Sequence, residues 1–127
     1  MIINNYRLLE AIEEKDLKYI EKNGTIGIPN NVCEIGNNAF YQAIFLHEII
    51  IPDSVIEIGD YAFRSCDSLK SVLIPKSVKE IGEGAFLSFG ELKIYCEVEE
   101  KPIGWDSNWN PNNKPVIWGY KGKENGN

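Results

Sequence analysis

The stretch "IPDSVIEIGDYAFRSCDSLKSVL", Ile51 to Leu73, decides the fold, because nearly the same pattern stands before it and after it. At a period of 23 residues the preceding unit is "IPNNVCEIGNNAFYQAIFLHEII", Ile28–Ile50, and the following one is "IPKSVKEIGEGAFLSFGELKIYC", Ile74–Cys96. The columns Pro29/Pro52/Pro75, Val32/Val55/Val78, Glu34/Glu57/Glu80, Ile35/Ile58/Ile81, Gly36/Gly59/Gly82, Ala39/Ala62/Ala85, Phe40/Phe63/Phe86 and Leu46/Leu69/Leu92 repeat without substitution. Chance does not produce such self-similarity, and its period is that of a stacked repeat array.

A unit this short cannot close a hydrophobic core alone and must stack on its neighbours. Each unit ends in a short apolar run, "LHEIIIP", "LKSVLIP" and the variant "LKIYCEV". Stacked turns set these strands side by side at about 4.8 Å in one parallel sheet. Proline follows the first two strands, where no further ladder N–H is needed. The glycine column marks a backbone position that disfavours a Cβ, alanine permits close approach of the next coil, and the phenylalanines stack ring on ring. The inward residues are Leu46, Ile49 and Ile51 in the first strand and Leu69, Val72 and Ile74 in the second. The same register would bury Glu97 in the third, so a shift by one is expected there, turning Ile94, Cys96 and Val98 inward.

These residues resemble the BspA-type (Treponema-type) leucine-rich repeat, whose pattern reads here as "IPxSVxEIGxxAFxxCxxLxxV". The resemblance covers Ile28 to about Val98, and loosely Thr25–Ile28. It implies a leucine-rich-repeat solenoid with strands on one face and irregular or short helical segments on the other. It also implies an interaction or adhesion module of the kind found on bacterial and protist surfaces. The expected fold class is α/β, a solenoid with a short parallel sheet on one face, an N-terminal helical cap and a C-terminal Trp-rich cap.

The chain's 127 residues, 43% hydrophobic and 25% charged, suit one soluble domain. Its net charge of −6 argues against nucleic acid and anionic membrane, which call for clustered cations. Three cysteines without a CxxC pair give neither a disulfide framework nor a zinc site. The N-terminus has no apolar signal region, so the expected location is cytoplasmic, or the cell surface if the chain is a fragment of a longer protein.

The expected layout is an N-terminal cap at 1–27, repeats at 28–50, 51–73 and 74–96, a C-terminal cap at 97–120 and a tail at 121–127. "NNYRLLEAIEEK" reads as an amphipathic helix, with Asn5 as N-cap and Leu9 and Ile12 on one face. The next residues, 16–27, either continue that helix to about Lys22 or form a hairpin around Asn23-Gly24; helix is preferred. Trp105, Trp109 and Trp118 form a lid over the open end of the coil, with a sugar-binding platform as the sharper alternative. "PVIWGY" reads as a last strand.

No motif for nucleophilic, phosphate-cradling or zinc chemistry is present, and His47 is the only histidine, so no catalytic site, cofactor or metal is expected. Cys66 shares a column with Ala43 and Phe89 and should point inward, whereas Cys33, with Ile56 and Lys79, should be more exposed. "DSNWNPNN" opens like a calcium loop but puts Pro111 where glycine is needed and Ile117 where glutamate is needed. Glu34, Glu57 and Glu80 should form a solvated acidic column.

The strand face is the best candidate for function. Ile50, Leu73 and Tyr95 make an outward apolar row, with His47, Glu48, Ser71 and Glu97 as a polar rim. The expected activity is non-catalytic protein–protein interaction through this face, with self-association a further possibility. The alternatives are a surface adhesin recognising carbohydrate and a structural element of a larger protein.

Overall fold

The computed structural model describes residues 24–122 and the strand Leu8–Leu9. In chain order the strands are β1 (Leu8–Leu9), β2 (Thr25–Gly27), β3 (Glu34–Ile35), β4 (Glu48–Ile50), β5 (Glu57–Ile58), β6 (Ser71–Ile74), β7 (Glu80–Ile81), β8 (Lys93–Cys96) and β9 (Val116–Ile117). All pairings are parallel, as a coil that always winds the same way requires.

Two sheets form where one was expected. The longer strands make a five-stranded sheet in the order β2-β4-β6-β8-β9, and the Glu-Ile pairs make a four-stranded sheet in the order β1-β3-β5-β7. The repeat therefore touches its neighbours through two ladders. Each Ile of the second ladder, Ile35, Ile58 and Ile81, is buried in the core between them.

The third side carries no helix among the described residues, and the reason lies in its hydrogen bonds. Alternate N–H groups reach the next coil instead of an acceptor four residues back. Asn38, Phe40 and Gln42 donate to Asp60, Ala62 and Arg64, and Tyr61, Phe63 and Ser65 donate to Glu83, Ala85 and Leu87, at 2.7–3.0 Å. Several of these donors have a reversed backbone sign: Asn38, Tyr61 and the equivalent Gly84 have φ of 59°, 55° and 62°, and Gln42 and Ser65 57° and 62°.

The core is a set of one-residue columns. Phe40 and Phe63 stack at 5.2 Å and Phe63 and Phe86 at 5.1 Å, their planes nearly parallel. The inter-coil carbonyls are matched in the same way. Ser54 Oγ donates to Val32 O at 2.8 Å and Ser77 Oγ to Val55 O at 2.7 Å. Asn37 Oδ1 accepts the Asp60 N–H, and Asp60 Oδ1 that of Glu83.

The register shift in the third strand is present. Val72 pairs with Ile94 and Ile74 with Cys96, both buried, and Val98 packs half-buried against the same core. A second slip in that unit was not anticipated. Ser88 is buried and Phe89 is 71% exposed, so Phe89 leaves the inward column of Ala43 and Cys66.

The C-terminal segment is a degenerate further coil stacked on the last repeat. Ile81 bridges to Trp105, the Asp106 N–H donates to Ile81 O, and Gly84 and Phe86 donate to Asn108 and Trp109. Trp109 meets Phe86 edge-on at 6.0 Å and ends the phenylalanine stack. Trp105 Nε1 donates to Val78 O, the carbonyl that a serine serves in earlier coils. Asn112 Oδ1 takes the Ser88 N–H, as a backbone carbonyl takes that of Ser65. Buried polar groups are in the main paired, and this coil supplies partners for those of the last repeat.

At the N-terminus the helical reading is corrected at Leu8–Leu9, which pair with Glu34 and Ile35 as a strand. The Leu-Leu pair continues the ladder of Glu-Ile pairs on the open side of β3. The rest of the expected helix, and residues 16–23 of the helix-or-hairpin segment, lie outside the described residues. Residues 25–27 are strand β2.

Candidate interaction surface

The five-stranded sheet turns alternate side chains to solvent, as strand geometry dictates. Its pairing aligns the outward residues into two rows. One is polar and runs Thr25, Glu48, Ser71 and Lys93. The other pairs Gly27 with Ile50, Leu73 with Tyr95, and Tyr95 with Ile117. Ile50 is 55% exposed, Leu73 38% and Ile117 37%. The Tyr120 ring lies 4.8 Å from that of Tyr95 and walls the row. Glu48, Ile50, Ser71, Leu73, Tyr95 and Tyr120 line a hollow of about 400 Å³.

Five of the seven residues singled out in the sequence thus meet on one surface: Glu48, Ile50, Ser71, Leu73 and Tyr95. Two do not join them. His47 is exposed just before β4, with its backbone N–H on Gly24 O, and does not line the hollow. Glu97 turns to the neighbouring loop, where Oε1 accepts the Lys76 N–H at 2.9 Å. Ile117 and Tyr120 extend the surface and were missed because they sit beyond the repeating columns. The alternation in "PVIWGY" was the one signal that pointed to them.

The other candidates are placed as follows. Trp105 and Trp109 are buried and pack on each other at 4.9 Å, which removes both from a sugar-binding platform; Trp118 keeps part of its ring exposed. Burial pushes the Cys66 and Cys96 thiols up to about 12, so both are protonated packing groups at neutral pH, and Cys66 Sγ donates to Phe40 O. Cys33 is half-buried. In the calcium-like stretch, Asp106 Oδ1 accepts the Asn108 N–H and Asn110 Oδ1 that of Lys114, so these oxygens hold the turn. Among the described residues no group of three or more His, Cys, Asp or Glu side chains is spaced to hold a metal ion.

A comparison with protein-family models matches the BspA type leucine rich repeat region, in six copies, over residues 3–101. The chain belongs to the BspA-type leucine-rich-repeat family. The match reaches well before Ile28, consistent with β1 joining the second sheet. A search of curated proteins and a search of solved structures each gave no match. Family membership marks the chain as a repeat module of the protein-interaction or adhesin-like kind. Among the described residues no helix is long and apolar enough to cross a membrane.

Proposed function

We propose that this BspA-type repeat module works without catalysis and binds a protein partner through the outer face of its five-stranded sheet. The observation that carries the reading is an apolar row on a sheet whose other face is core: Ile50, Leu73 and Ile117 are exposed, with the half-buried Tyr95 in line with them. Burying what Ile50, Leu73 and Ile117 still expose is worth roughly 1 kcal/mol each, which a partner recovers on docking. The polar row beside them fixes orientation, as a polar rim does at an interface core.

The test is affinity capture from lysate of the source cells, comparing wild type with Ile50→Glu/Leu73→Glu and with Ile103→Glu. Ile103 is fully exposed on the loop before Trp105 and serves as the control surface. All three are first matched by circular dichroism and melting. A partner retained by wild type and Ile103→Glu and lost by the double variant supports the strand face. Retention by the double variant overturns it.

A further inference from the structure

We propose that the segment taken by the strand face is acidic as well as apolar. This rests on the reading of the strand face above and adds the chemistry of its ligand. The apolar hollow shares Ser71 and Tyr95 with a second hollow, of about 560 Å³, toward the start of β8. Its rim carries Lys70, Lys93 and Lys114 against one carboxylate, Glu91. In a chain of net charge −6, three ammonium groups on one hollow reverse the prevailing sign.

Among the described residues two of these cations have no ion-pair partner, and the third is fixed in place. Lys70 and Lys93 are exposed on adjacent coils, joined by the Lys93 N–H on Lys70 O at 3.0 Å. Among the described residues no carboxylate lies within ion-pair distance of either. Like charges on adjacent coils repel, and a ligand carboxylate between them relieves that repulsion. Lys114 is held at both ends: its backbone N–H donates to Asn110 Oδ1 and its Nζ donates to Gly90 O at 2.6 Å. An ammonium has three protons, so Lys114 retains donors for a ligand, and it gives up little side-chain freedom on binding.

The spacing suits an extended peptide. From Ile50 to Ile117 the row spans three strand gaps, about 14 Å, which four or five extended residues cover. Alternate side chains of such a peptide lie on the apolar row, and carboxylates beside them reach the lysines at the strand starts.

The experiment pans a displayed library of random octapeptides against the immobilised folded chain. Selected peptides are then synthesised and titrated against wild type, Leu73→Glu and Lys70→Gln/Lys93→Gln. Leu73→Ser replaces Leu73→Glu if the latter does not fold. Peptides that need Leu73 are expected to carry Asp or Glu beside an aliphatic or aromatic residue. They should lose about tenfold in affinity in the lysine variant, and weaken comparably between roughly 50 and 500 mM salt. Leu73-dependent peptides that are neutral or basic, or that ignore the lysine change, overturn the acidic ligand and leave the strand-face reading standing. Acidic peptides that ignore Leu73 overturn the joint surface. A library with no Leu73-dependent binder overturns both.

Discussion

At the level of single residues the glycine column shows how tightly the coils are stacked. A Cβ on Gly59 would lie 2.7 Å from Asn37 N and 2.9 Å from Gly36 C, both backbone atoms of the preceding coil. Neither can give way without opening the ladder that Asn37 makes with Asp60. Gly59→Ala should therefore lower stability by about 2–3 kcal/mol, in the range of an overpacked core. Gly27 is the internal control, since nothing lies within 4 Å of its Cβ position. Gly27→Ala should be neutral or stabilise by about 0.5 kcal/mol through the unfolded chain. Urea melts of the two variants check both. The reason for the glycine was legible in the sequence because the column repeats. The outward turn of Phe89 was not: column alignment placed it with Cys66, and only the three-dimensional winding shows Ser88 taking the inward position.

At the level of elements, the alternation of the longer strands disclosed the first sheet, including the shifted register of β8. The second sheet stayed hidden because its strands are two residues long, too short to show alternation. Its register stacks Glu34 on Glu57 and Glu57 on Glu80. The middle carboxyl is raised above its ordinary 4.5, by partial burial first and then by the charges of Glu34, Glu80 and Asp60. The folded state then holds the Glu57 proton more tightly than the unfolded chain does. Stability from this group is present below its unfolded value and falls as pH rises through the folded one. Glu57→Gln should raise the melting temperature at neutral pH and flatten this part of the acid-side slope. Melts of wild type and variant from about pH 4 to about pH 7 test the sign. A lower melting temperature for the variant at neutral pH would show that the carboxylate is stabilised instead.

At the level of the whole molecule, stability depends on how the stack ends. The tryptophan-rich segment was legible as a lid from its aromatic content. That it is a further coil was obscured, because Trp105 stands where the repeats have isoleucine and Asp106 where they have glycine. In a quasi-one-dimensional stack each coil leans mainly on its neighbours, so damage at one end should spread inward from that end. Trp109→Ala removes the ring that ends the phenylalanine stack and contacts Trp105 and Trp118. The expected loss is about 3–5 kcal/mol for the coil that contains it. Native-state hydrogen exchange should show the amides of β8 and β9 losing protection first, then β7, while those joining β2 to β4 keep most of theirs. Phe63→Ala, in the middle of the same column, should instead weaken coils on both sides. If Trp109→Ala lowered protection equally from β2 to β9, the array would open as one cooperative unit, with the last coil holding the whole stack closed.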